Sequence, residues 1–230
     1  MRVGVLLPTF TVGTTTALDC AARAAAAGLD GVFAYDHLWP MGSPERPSYA
    51  PFPLLAAVAR RHQQLVVAPL VARVGLVGTN HLVEEFLTLE ALAPRRVIAA
   101  LGTGDRLSAA ENHAYGLVPR DADARRALLR ETARALGDVM PVWFGAGAPA
   151  TNELARSLGV VLNTWNTSFE QVRVFAAAGP VTWAGPAPEA LEATLDALRD
   201  AGATWAVLSP QVDVERLAKW RRSNPLSSFP

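Results

Sequence analysis

The chain has 230 residues, 50% of them hydrophobic and 18% charged, with 21 Lys+Arg balanced by 21 Asp+Glu. Such a composition supports a large buried core and excludes a disordered chain. Zero net charge excludes a general nucleic-acid binder, which needs a basic excess to neutralise phosphates. The single cysteine, Cys20, excludes an intramolecular disulfide and a cysteine-based metal cluster.

The first apolar run, Val3–Leu7, has strand length and stops at Pro8. It is too short for a signal peptide, and no stretch approaches the ~20 apolar residues that cross a bilayer, so a cytoplasmic protein is expected. A helical segment follows over Ala17–Ala27, with Cys20 as a buried structural thiol, a reactive one being the alternative, and Gly28 as its C-terminal cap. The same alternation then repeats. Strands are expected at Gly31–Tyr35, Leu65–Leu70, Arg96–Leu101, Pro141–Phe144, Val160–Asn163, Pro180–Trp183 and Thr204–Leu208. Helices are expected at Pro53–Arg61, His81–Leu92, Asp121–Leu136, Thr151–Leu158, Phe169–Ala178, Pro188–Asp200 and Val214–Arg222. Pro53 and Pro188 suit first turns, Ser168 and Asp213 suit N-caps, and Gly202 suits a C-terminal cap. The strands read apolar throughout, which implies a sheet covered on both faces. Eight β–α units are what a (β/α)8 barrel requires, and the length lies near that fold's lower limit. The reading is a compact TIM barrel with shortened insertions, one domain over residues 1–230. A doubly wound open sheet is the alternative.

Barrels of this kind carry their chemistry at the C-terminal ends of the strands, so the residues just after each apolar run are the candidates. After the second strand stand Asp36, His37 and Trp39; an imidazole suits proton transfer near neutrality and a neighbouring carboxylate can orient it. After the third comes Pro69, which removes a ladder donor and marks a bulge or strand exit, followed by Leu70 and Val71. After the fourth, Gly102 and Gly104 flank Thr103 and let a backbone approach a ligand closely, with Asp105 next at the rim. After the fifth, Gly145, Ala146 and Gly147 lead into a helix. Formally this is a dinucleotide fingerprint, yet no acid follows about 20 positions on, so that assignment fails. A helix N-terminus there still favours an anion, with a plain tight turn as the alternative. The four histidines, at 37, 62, 81 and 113, fall on different units without metal-ligand spacing, so no metal site is expected.

Taken in order, Gly31–Leu38, Val67–Val71 with Glu85–Leu92, Arg95–Gly104, Pro141–Gly147 and Leu162–Asn166 resemble the luciferase-like monooxygenase superfamily. The branch they resemble uses the deazaflavin coenzyme F420. The resemblance implies that Asp36 and His37 form an acid–histidine pair beside the deazaflavin ring, with His37 as a base on an alcohol. It implies a non-prolyl cis peptide at Pro69–Leu70 whose bulge, with Val71, supports the ring. Gly102, Thr103, Gly104 and Ser108 would line the cofactor, and Gly145, Ala146 and Gly147 would hold its phosphate. Asp105 falls where sugar-phosphate dehydrogenases of the family carry a glutamate acid. Trp39 and Trp165 would wall the substrate pocket or simply pack. The segment from Asp105 to Met140, usually long in the family, is short here and mostly one helix. The implied function is an F420-dependent oxidoreductase, a homodimer, moving hydride between the cofactor ring and a small organic substrate. An FMN-dependent monooxygenase and a non-catalytic flavin-binding barrel are the alternatives.

Overall fold

A computed structural model describes residues 1–40, 42–104 and 108–226. Its strands are β1 (Arg2–Leu6), β2 (Gly31–Ala34), β3 (Val66–Pro69), β4 (Ala72–Arg73), β5 (Ala99–Gly102), β6 (Val142–Gly145), β7 (Val161–Trp165), β8 (Val181–Gly185) and β9 (Ala203–Leu208). All pair in parallel in the order β3-β2-β1-β9-β8-β7-β6-β5-β4, so the first and last strands lie side by side. The two edges also meet. Val67 of β3 bridges Val97, its N–H donating to Arg96 O at 2.8 Å, and β4 runs on beside β5 with Ala72 opposite Leu101. β3 and β4 are therefore two halves of the third barrel strand, which reconciles nine strands with eight expected units. Contact between the two edges gives a TIM-barrel-like closure and rules out the open doubly wound sheet.

Alternation along each strand divides its side chains between two regions. Val5, Val32, Ala99, Val142, Phe144 and Ala206 belong to the larger core beneath the helices. Their neighbours Leu6, Phe33, Ala100, Trp143, Trp205 and Val207 form a separate cluster inside the barrel. There the rings of Phe33, Trp143 and Trp205 stand 5.5–5.8 Å apart, centroid to centroid. Gly4 makes the room: a Cβ at that position would lie 2.7 Å from Phe33 Cε2. The Arg2 guanidinium sits 5.6 Å from the Trp205 ring at the N-terminal end. The bore is filled, as layers of branched and aromatic side chains fill such barrels generally.

The helices are α1 (Thr15–Ala27), α2 (Pro51–Arg61), α3 (Thr79–Leu92), α4 (Ala109–Ala114), α5 (Ala122–Leu136), α6 (Pro149–Leu158), α7 (Phe169–Ala178), α8 (Leu191–Asp200) and α9 (Val214–Ser223). Gly28 ends α1 in the left-handed conformation at φ 84°, and the side chains of Ser168 and Asp213 accept N-cap bonds as expected. Pro188 lies ahead of α8 rather than in its first turn. Cys20 is buried, and that burial raises its thiol pKa. The segment expected to be mostly one helix carries two. α4, the extra one, spans six residues, too few for a helical period to register in the sequence. Among the described residues no helix is long and apolar enough to cross a membrane.

Candidate active site

The C-terminal strand ends bring the acid–histidine pair, the third-strand break and the first glycine turn together, with a carboxylate that the sequence reading overlooked. β2 ends at Ala34, and the chain leaves the sheet through Tyr35, Asp36 and His37. Asp36 Oδ2 accepts the Arg73 backbone N–H at 2.8 Å, which ties the exit of β2 to β4. Burial raises the Asp36 carboxyl pKa above the ordinary range, opposed by that hydrogen bond and by the charges of Arg73 and His37.

Asp36 is not the acid that touches the imidazole. His37 Nδ1 lies 2.9 Å from Oε1 of Glu111, 74 positions further along, on α4. The other oxygen, Oε2, accepts the Leu38 N–H at 3.1 Å and stands 3.0 Å from Arg73 Nη2. That last approach has ion-pair distance without hydrogen-bond alignment, and Arg73 Nε is buried with no hydrogen-bond partner among the described residues. Arg73 Nη1 reaches Asn112 Oδ1 at 3.4 Å. Glu111 is 1% exposed and Arg73 6%. A buried carboxylate is tolerable only when paired and hydrogen-bonded, and Glu111 has three such neighbours.

The cis peptide lies between Leu70 and Val71, one residue later than expected. Leu70 turns into the barrel interior and its N–H donates to Ala34 O at 2.7 Å. Val71 fills the gap between two strand ends: a Cβ on Gly102 would stand 2.4 Å from Val71 Cγ2, and one on Gly145 3.4 Å from it. Gly102 thus requires a residue without a side chain, whereas a Cβ at Gly145 would only touch Val71. Gly104 follows at φ 67°, and a Cβ there would lie 3.8 Å from Arg73 Cδ. Thr103 Oγ1 donates to Gly104 O, and Ser108 is buried at the N-cap of α4. Asp105 lies outside the described residues.

At β6 the turn expected to favour an anion has its N–H groups engaged. Ala146 N–H donates to Asn163 O at 2.7 Å and Gly147 N–H to Asn152 Oδ1 at 3.1 Å, so an anion there would compete with Asn152. Trp39 lies 6.0 Å from the Tyr115 ring, both beside the His37–Glu111 contact in sequence. Trp165, half exposed, meets Tyr35 edge-on at 6.1 Å, and Tyr35 stacks on Phe10 at 5.2 Å. Phe10 also lies 6.4 Å from the His37 ring. Two hollows lie away from this mouth, one of about 130 Å³ at the N-terminal ends of β7 and β8, one of about 290 Å³ between α2 and α3. Neither touches His37.

Arg73, Glu111, Asn112 and Phe10 escaped the sequence reading. Arg73 left a signal, being a lone cation in the apolar stretch Ala68–Leu76, where a buried guanidinium demands an acid. Glu111 left none, since an acid in a helical first turn is ordinary.

The family model described as luciferase-like monooxygenase matches residues 1–140. The chain belongs to the luciferase-like monooxygenase family. The matched part holds Asp36, His37, Arg73, Gly102 and Glu111, and stops just before β6. As a luciferase-like protein it also shares its fold with solved structures over most of its length. One is an F420-dependent secondary alcohol dehydrogenase in complex with an F420-acetone adduct, at 14% identity and TM-score 0.81, covering 96% of this chain and 98% of that one. Another is the coenzyme F420-dependent tetrahydromethanopterin reductase from Methanopyrus kandleri, at 12% identity and TM-score 0.74, with 95% and 96% covered. A third is a monooxygenase from Streptomyces bottropensis, at 13% identity and TM-score 0.71, with 96% and 97% covered. No curated protein matches the luciferase-like chain.

Proposed function

We propose that the protein is an oxidoreductase that binds the deazaflavin F420 at the barrel mouth and moves hydride between its ring and a small organic substrate. The observation that carries this reading is the meeting of His37, held by buried Glu111, with the Val71 ridge set between Gly102 and Gly145. The residues present fit a flat heterocycle. Two strand ends bare of side chains leave Val71 as an apolar support, and a Cβ at Gly147 would meet nothing within 4 Å. Neighbours in fold whose names carry F420 or monooxygenase activity support a deazaflavin or flavin cofactor.

When bound, the cofactor supplies a ring carbon that accepts or donates hydride. The chain does the rest. Val71, with Pro69 and Leu70 behind it, supports the ring; Gly102, Thr103, Gly104 and Ser108 line it, beside Asp36; and the Gly145–Gly147 turn receives the phosphate once Asn152 yields. His37 takes the proton of an alcohol as its hydride leaves, and returns it in the reducing direction. Asp105 serves as an acid or polar anchor, and Trp39 and Trp165 wall the substrate. The homodimer belongs to the same proposal and is checked by sedimentation.

Titrating the purified protein with F420 and with FMN tests the assignment. F420 is expected to bind, and to be reduced by an alcohol from a panel of small secondary alcohols. His37→Ala is expected to lower that turnover by ~10²–10⁴-fold while leaving F420 affinity within a few-fold of the parent. Tighter binding of FMN moves the protein to the monooxygenase reading. Tight F420 binding without reduction by any alcohol moves it to a non-catalytic carrier, and binding of neither overturns both.

A further inference from the structure

We propose that Glu111 is the positioning residue that fixes the tautomer of His37, and that a count of donors around its carboxylate, the Leu38 N–H beside the Arg73 cation, holds it in that orientation. A neutral imidazole carries one N–H and one bare nitrogen, and only the bare nitrogen can accept a proton. A carboxylate is acceptor-only. With Glu111 Oε1 2.9 Å from Nδ1, the neutral ring places its proton on Nδ1, which leaves Nε2 as the base. The imidazole is partly exposed while its partner is 1% exposed, so the protected nitrogen is Nδ1.

The other carboxylate oxygen is committed. Oε2 faces the Leu38 N–H at 3.1 Å and Arg73 Nη2 at 3.0 Å, two groups that can only donate. Glu111 therefore cannot rotate to release His37 without leaving the Leu38 N–H unpaired and drawing its charge away from Arg73. Arg73 is itself held, its backbone N–H bonded to Asp36 at 2.8 Å and its Nη1 near Asn112. The pair expected from the sequence as a unit thus divides its labour. Asp36 anchors Arg73, Arg73 with Leu38 orients Glu111, and Glu111 sets His37.

This count makes Glu111→Gln a sharp test, because the variant keeps the shape and changes only the hydrogens. Its amide oxygen has to face Leu38 and Arg73, which turns the NH2 toward Nδ1. Nδ1 must then accept, and the proton moves to Nε2. The tautomer is read by ¹⁵N long-range correlation spectra of the four histidines, with His37 identified by its loss in His37→Gln. The parent is expected to show Nδ1–H at His37 and Glu111→Gln to show Nε2–H, with the spectra of His62, His81 and His113 unchanged. Glu111→Asp, which keeps an acceptor-only group, is expected to keep Nδ1–H, and serves where Glu111→Gln does not fold. Nε2–H in the parent, or Nδ1–H retained in folded Glu111→Gln, overturns the assignment. The catalytic weight of the choice rests on the oxidoreductase reading, but the spectra need neither cofactor nor substrate. A swapped tautomer should lower alcohol-dependent F420 reduction by ~10²–10⁴-fold with the KM little changed. A swap that leaves turnover intact would refute His37 as the base and leave the tautomer assignment standing.

Discussion

At Gly102 a single methyl group separates a mouth that closes around Val71 from one that cannot. Gly102→Ala would bring a Cβ to 2.4 Å from Val71 Cγ2, a short branched side chain with no long arm to swing away. Overpacking of this kind costs about 1–3 kcal/mol, to be read as a lowered urea midpoint, and the shifted Val71 should weaken F420 binding in the same variant. Tyr35 gives a second test at this scale. Burial pushes its phenol up to about 12. The folded state then holds that proton more tightly than the unfolded chain, whose tyrosine titrates near 10. The stability involved is present in full below about pH 10 and is lost as pH rises toward about 12, roughly 2–3 kcal/mol in all. Tyr35→Phe should flatten the alkaline fall of the melting temperature over that window; an unchanged fall places the cause elsewhere. The place of Asp36 and His37 at the C-terminal end of β2 was legible because an apolar run stops just before them. Their partners were not, because the contact to Glu111 spans 74 positions and exists only once the barrel has closed.

Whole elements were read from the sequence with small errors at their ends, and the larger errors share a cause. Apolar runs of four to six residues bounded by Gly or Pro located the strands, and glycine or N-cap residues bounded most helices. α4 was missed because six residues hold less than two helical turns. The division of the third strand into β3 and β4 was missed because Pro69 marks that something ends without saying where pairing resumes. Helix caps offer the element-scale prediction. Asp121 accepts from the Ala124 N–H at 2.7 Å at the head of α5, though its position was read from the sequence as the first residue of the helix itself. Asp121→Ala should destabilise the protein by ~1 kcal/mol in urea melts, whereas Asp121→Ser or Asp121→Asn should lose much less.

For the molecule as a whole, the eight-unit count came directly from the alternation of runs, but nothing in a linear count says what binds the two chain ends. Asp30 does so. Its Oδ2 accepts the Val3 N–H at 2.8 Å and Arg221 Nε at 2.8 Å, and its Oδ1 accepts Arg221 Nη2 at 3.2 Å, so that Asp30 joins β1 to α9, with Arg221 lying 191 positions further along the chain. Arg222 adds a bond to Ala27 O at 3.0 Å. Asp30→Ala strands both a backbone donor and a guanidinium, and should lower stability by about 2–4 kcal/mol, with cleavage near α9 appearing in limited proteolysis before global unfolding. Asp30→Asn, which keeps one acceptor, should fall between the parent and Asp30→Ala.

The aromatic plug of Phe33, Trp143 and Trp205 has a consequence for traffic. With Arg2 lying against Trp205 beneath it, the bore offers no back door, so whatever reaches the strand ends must leave by the way it came. Two molecules sharing that one doorway queue: the inner arrives first and departs last, and crowding by the outer slows the inner one's escape.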